Sequence, residues 1–209
     1  NALDKLANLS EAEKRDALIA MADLDIRAGD LQAAQNHLSD ALALNANDAD
    51  TCEKLGDVQF KRRLYEDAAA SYDTAFQIDS RNYHVAFKSA TCLSITGKTK
   101  EADALYAQIV TKSTDEALAH KAAQRAIDDH AWLGTLDELA NEFLPLLRAK
   151  QRKELYLEIL LNLADAQAQP HVLALQAQDA PLSARHALRL LSDKYAALIV
   201  ESLLSNDPS

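Results

Sequence analysis

Apolar positions in the first half of this chain fall at helical spacing. In "YEDAAASYDTAFQIDSRN", residues 65–82, Ala68, Tyr72 and Ala75 share one helical face before a polar turn. The same face recurs 34 residues earlier as Ala34, Leu38 and Ala41, and 34 residues later as Ala102, Tyr106 and Ile109. A fixed period of a few tens of residues marks a repeat architecture, in which each supersecondary unit stacks on the next. The pattern predicts antiparallel helix pairs: "KRDALIAMADLDIRAG" with "DLQAAQNHLSDALAL", "ADTCEKLGDVQFKRRL" with "YEDAAASYDTAFQI", and "YHVAFKSATCLSITG" with "KTKEADALYAQIV". The breaks "NANDAD", "DSRN" and "TKSTD" separate the units. Ser10 and Glu13 have the spacing of a capping box that opens the first helix. Gly29 and Gly97 fall two periods apart, at the turn between the helices of a unit.

The recurring small residue has a packing role. Alanine at 34, 68 and 102 lets the two helices of a unit approach closely, while Leu38, Tyr72 and Tyr106 fill the space beyond. One unit cannot bury its own apolar face, so stacking supplies the stability and the stack presents a concave surface. The expected fold is all-α, a solenoid of helix pairs with a C-terminal helical capping region. Residues 1–9 read as the end of a preceding helix or a cap, because Ala7 precedes Ala41 by one period. Residues 10–116 hold three helix pairs. Residues 117–150 read as a degenerate fourth pair, with a turn at Gly134 and Leu136 where the frame expects a small residue. In the helical region 151–209, Leu188, Leu191, Tyr195, Leu198 and Ile199 form one stripe, either a capping contact or a self-association face that would give a homodimer.

In Leu55-Gly56, Tyr65, Ala68 and Tyr72 the chain resembles the tetratricopeptide repeat family, whose units carry an L-G pair in the first helix and A-x3-F in the second. Cys52 stands where the family has Trp, Gln59 where it has Tyr, and Ala46 and Ser80 where it has Pro. The resemblance implies a non-catalytic module that holds a peptide or partner helix along the concave face made by the first helix of each unit. Carried onto this sequence, that face comprises Asp16, Ile19, Asp23 and Ile26, then Asp50, Glu53, Asp57 and Phe60, then His84, Phe87, Lys88 and Thr91. A subfamily that grips a C-terminal carboxylate uses Lys, Asn and Arg at places held here by Ile19 and Asp23, Lys54, and His84 and Lys88, so that ligand is not expected. Five acids on the first two units favour a Lys/Arg-rich segment, with Phe60 and Phe87 as apolar anchors. The plainer alternative is that these acids solvate a groove filled by another part of the protein.

Composition narrows the picture further. Among 209 residues, 48% are hydrophobic and 5% aromatic, which suits an Ala/Leu-rich helical protein. The formal charge is −10, and residues 1–80 contribute 16 acids against 8 bases, which argues against nucleic acid and for a basic partner near the start. Cys52 and Cys92 lie within amphipathic stretches and read as buried thiols. No apolar run is long enough for a membrane span.

No cluster of catalytic, cofactor-binding or metal-ligating residues emerges. "TGKTK" at 96–100 ends like a phosphate-binding loop, yet the glycine such a loop needs at 92 is Cys92. The six histidines and two cysteines lack metal-ligand spacing, "DDH" at 128–130 reads as a solvated helix end, and "NLS" at 8–10 as a cap. A bacterial secretion chaperone is one alternative function, since Phe87, Ala90, Cys92, Leu93, Gly97, Glu101 and Ala102 follow a run resembling chaperones of type III translocators. A periplasmic scaffold of an exopolysaccharide or envelope export assembly is another, and a targeting domain of a larger enzyme is a third. The cytoplasm is favoured over the periplasm.

Overall fold

Polar breaks and left-handed turns divide the chain into short helices, and both kinds of signal are visible at the ends of each element. The computed structural model describes residues 10–150, 152–162 and 170–172. Its helices are α1 (Glu11–Ala28), α2 (Leu31–Leu44), α3 (Ala49–Lys61), α4 (Tyr65–Ile78), α5 (Tyr83–Ile95), α6 (Thr99–Lys112), α7 (Glu116–Leu133), α8 (Leu136–Ala149) and α9 (Lys153–Asn162). Among the described residues there is no strand.

Side-chain caps start the first helix of each of the first three units. Ser10 Oγ accepts the Glu13 N–H at 3.3 Å while the Glu13 carboxylate accepts the Ser10 N–H at 2.9 Å, completing the capping box. Asp48 and Asn82 cap α3 and α5 by accepting the Thr51 and Val85 N–H groups at 3.2 and 3.3 Å. The turn between the two helices of a unit is made instead by a residue in the left-handed region: Gly29 (φ 84°), Arg63 (φ 62°), Gly97 (φ 78°) and Gly134 (φ 72°). Each closes the same pair of bonds. At Arg63 they are Arg63 N–H to Phe60 O at 2.9 Å and Leu64 N–H to Gln59 O at 2.9 Å, matched at Gly97 by Gly97 N–H to Ser94 O and Lys98 N–H to Leu93 O.

Three of these turns keep the 34-residue period and the fourth falls three residues late. The helix before that turn, α7, has 18 residues, as α1 does, against 13 in each of α3 and α5. The shift changes a correspondence read from sequence: the counterpart of Ala102 is Leu139, not Leu136, and that of Tyr106 is Phe143. Leu139 and Phe143 are buried, as Ala102 and Tyr106 are, whereas Leu136 is only partly buried.

The chain divides into two compact units, residues 1–122 and 123–209. In the first, α1 packs on α2, α2 on α3, α3 on α4, α4 on α5 and α5 on α6. The alanine seam is its core: Ala34, Leu38, Ala41, Ala68, Tyr72, Ala75, Ala102, Tyr106 and Ile109 are all buried. The first helices carry small residues one period apart, Ala22, Gly56 and Ala90, all buried. A Cβ on Gly56 would lie 2.6 Å from Tyr72 Cε1, so the Leu55-Gly56 pair exists to admit the tyrosine ring. In the second unit α8 packs on α9, burying Leu139, Phe143, Leu144 and Leu147.

Candidate functional site

Stacking at a fixed period sets the first helices of successive units side by side, and an ion-pair ladder crosses between them. Lys54 of α3 reaches back to Asp23 of α1, with Nζ 2.8 Å from both carboxylate oxygens. One period on, Lys88 of α5 reaches back to α3, with Nζ 2.7 Å from Asp57 Oδ1 and 2.8 Å from Glu53 Oε1. Each lysine follows its aspartate by 31 residues, and both rungs repeat at 34. Tyr72 completes the second rung: its hydroxyl donates to Asp57 Oδ1 at 2.7 Å, and Lys88 Nζ lies 5.5 Å from its ring centroid. A third contact continues the row with different chemistry, Lys121 of α7 standing 4.9 Å from the centre of the Phe87 ring.

These contacts fix the charge states. Burial pushes the Lys88 ammonium down, but the hydrogen bonds to Asp57 and Glu53 outweigh it and hold the group above its ordinary value, so it stays charged. Burial, then the Asp57 carboxylate, pushes the Tyr72 hydroxyl far up, so it remains a neutral donor. Burial, with Asp57 nearby, raises the Cys92 thiol to about 11, and burial likewise raises Cys52. The rungs themselves are partly exposed. Pairs of that kind contribute about 0.2–1 kcal/mol each, so their carboxylates keep much of their hydration and remain open to a competing cation.

The expected face is thus partly assembled. Asp23, Glu53, Asp57 and Lys88 lie within the ladder, and Phe87 beneath Lys121 also stands 6.1 Å from Tyr106, ring centre to ring centre. Asp50 is exposed, and Asp16 pairs locally with Arg15 at 2.8 Å. Ile19 is partly buried, and Thr91 spends its hydroxyl on Phe87 O at 2.8 Å. His84 sits 3.4 Å from Asp115. Phe60 packs edge-on against Tyr65 at 5.4 Å and is 38% exposed. Lys54 and Lys121 belong to the same row of contacts, with the buried Tyr72 behind it, and none of the three was on the expected list. The spacing of Lys54 and Lys88, one period apart and each 31 residues after an aspartate, was the available signal. Leu188, Leu191, Tyr195 and Leu198, the candidate self-association stripe, lie outside the described residues.

Among the described residues no three His, Cys, Asp or Glu side chains group to hold a metal, and no helix is long and apolar enough to cross a membrane.

No family model matches the chain. It is 32% identical over 96 residues to human Superkiller complex protein 3, a match that covers 46% of this chain and 6% of that relative's length. Among solved structures, it is similar to PcrH in complex with the chaperone binding region of PopD, at 25% identity and a TM-score of 0.50, over 59% of this chain and 96% of that one. It is also similar to the Arabidopsis OM64 TPR domain, at 17% identity and a TM-score of 0.50, over 57% of this chain and 98% of the domain. The 34-residue helix pairs, the alanine seam and these likenesses together give the chain a tetratricopeptide-repeat-like fold, an all-α solenoid of antiparallel helix pairs.

Proposed function

We propose that residues 10–116 form a non-catalytic protein-interaction module whose first-helix face docks a peptide or partner helix bearing Lys or Arg. The observation that carries this reading is the ladder: three carboxylates, Asp23, Glu53 and Asp57, meet two lysines, Lys54 and Lys88, across the first helices, and the repeat frame assigns Asp16 and Asp50 to the same face. The surplus negative charge attracts a cationic segment, and the exposed edge of Phe60 offers it an apolar anchor. Support for a peptide ligand comes from PcrH, whose structure holds the chaperone binding region of PopD. The same likeness favours a second reading, a chaperone for a secreted translocator, because the match spans 96% of PcrH.

The test is capture of partners by the intact protein at low salt, followed by a salt series on the strongest. Charge reversal at Asp50, Glu53 and Asp57 should weaken a basic partner roughly tenfold or more, taking about 0.5–1 kcal/mol per lost attraction. Lys54→Gln with Lys88→Gln should do the opposite, because the intramolecular competitor for the same carboxylates is gone. Affinity indifferent to all five substitutions would end the proposal. A partner whose removal leaves it aggregated or degraded would single out the chaperone reading.

A further inference from the structure

The first helices α3 and α5 each follow a stacked helix pair, whereas α1 follows none among the described residues. On α1, Ala17, Ala20, Met21 and Leu24 fall at i, i+3, i+4 and i+7 and so share one stripe. One period on, that stripe is Thr51, Lys54, Leu55 and Val58 of α3; two periods on, it is Val85, Lys88, Ser89 and Cys92 of α5. The two lysines bridge back to the preceding first helix, and the other six side chains are buried, α3 packing on α2 and α5 on α4. On α1 the same stripe meets water: Ala20 is exposed, Met21 is 37% exposed and Leu24 58%. It is nonetheless the more apolar, with Met and Leu where α5 carries Ser and Cys. An outward face that ends a stack in solvent is polar, so this composition belongs to a face that is covered.

Two departures from the frame argue against a cover by one more unit in register. Caps at Asp48 and Asn82 put the corresponding cap at position 14, yet α1 is capped by Ser10, so residues 11–14 continue the helix where the later units make their loops. Ala20 also stands where those units carry the lysine that ties a unit to the one before. The stripe fits a copy of itself instead. With two α1 helices turned end for end about Ala20, the crossing falls at a small residue, and Met21 of each lies against Ala17 and Leu18 of the other. Glu13 and Arg27 each stand seven residues from Ala20 along one edge of the stripe, and Lys14 and Asp25 stand six and five from it along the other, so every acid meets a base. A parallel pair would bring each charge to its own counterpart. We propose that a second copy of this chain docks here, α1 against α1 and antiparallel, as an isologous dimer.

Sedimentation velocity over a concentration series of the full chain should show a reversible monomer–dimer equilibrium. Met21→Glu with Leu24→Glu should weaken the dimer about tenfold or more, while the far-ultraviolet circular dichroism persists because both side chains already meet water. Charge exchange tests the antiparallel register. Lys14→Glu alone sets two acids together at each edge contact, and Asp25→Lys alone sets two bases together, so each variant should dimerise severalfold less well than the parent. Mixed, the two variants restore an acid to every base and should associate with each other in preference to themselves. A chain that stays monomeric throughout the series would overturn the proposal. So would a dimer indifferent to Met21→Glu with Leu24→Glu, since its interface would then lie elsewhere. Mixed variants that associate no better than each alone would overturn the antiparallel pairing.

Discussion

Arg63 occupies a conformation that its sequence neighbours give to glycine, and replacing it with glycine should stabilise the protein. Its φ of 62° matches Gly29 and Gly97, one period away on either side, and its turn closes the same two backbone bonds. A left-handed residue with a Cβ costs about 1–2 kcal/mol. Glycine relieves that strain but adds about 0.5–1 kcal/mol of unfolded-chain entropy to be lost on folding. The difference predicts a gain of roughly 0.5–1 kcal/mol for Arg63→Gly, which for a chain of this size raises the melting temperature by about 1–4 °C. Urea unfolding followed by circular dichroism measures the total. Hydrogen exchange at the amides of α3 and α4 localises it, which matters because stacked repeats open unit by unit. Arg63→Ala is the control: the side chain is exposed, so removing it while keeping the Cβ should change stability by less than about 0.5 kcal/mol. Equal gains in the alanine and glycine variants would show that the guanidinium, not the backbone, carries the effect. A neutral or destabilised Arg63→Gly would refute the strain argument itself.

Gly56→Ala gains about 0.8–1 kcal/mol of helix propensity but drives a methyl to 2.6 Å from the Tyr72 ring, held in place by its bond to Asp57. Overpacking of about 1–3 kcal/mol should win, and Tyr72→Leu in the same chain should relieve it; a stabilised single variant would contradict the packing account. Ala68→Leu at the α3/α4 crossing should cost about 1–3 kcal/mol in chemical denaturation, and a neutral result would mean the seam tolerates wider helix separation. Cys92 should resist a thiol reagent at pH 8 in the native protein and react on unfolding, since burial holds its pKa near 11 against an ordinary 9.0. The folded value is the higher one, so its contribution to stability is complete below pH 9 and is lost as the pH climbs toward 11. Native-state labelling at the denatured rate would refute that burial.

Much of this architecture is written in residue spacing. The alanines at 34, 68 and 102 are buried where the period placed them, Gly29 and Gly97 make the turns assigned to them, and Ser10 with Glu13 forms its capping box. These features are local or strictly periodic, so a pattern suffices to find them. Arg63 escaped notice because side-chain identity conceals a backbone state: it stands one period from two glycines yet is not one. In the fourth unit only the correspondence of Leu136 with Ala102 shifts, for a related reason. The turn at Gly134 falls 37 residues after the one at Gly97, which moves the frame without altering composition. At the candidate site, the acids were legible as charge but not as paired charge. Lys54 and Lys88 sit on different helices from their partners, and a helical stripe counts neighbours along one helix only.

The ladder also gives the chain a grammar. Since each rung joins an aspartate to a lysine 31 positions downstream, cutting out one whole period between the rungs would hand Asp23 the ammonium of Lys88 and leave turns, seam and charges in phase. Excision of one residue more or fewer would rotate the downstream helix by about 100° and leave the lysine facing elsewhere. Lengthening or shortening in this protein is therefore quantised, and its genetic history would be expected to proceed by duplication of complete segments rather than by gradual slippage.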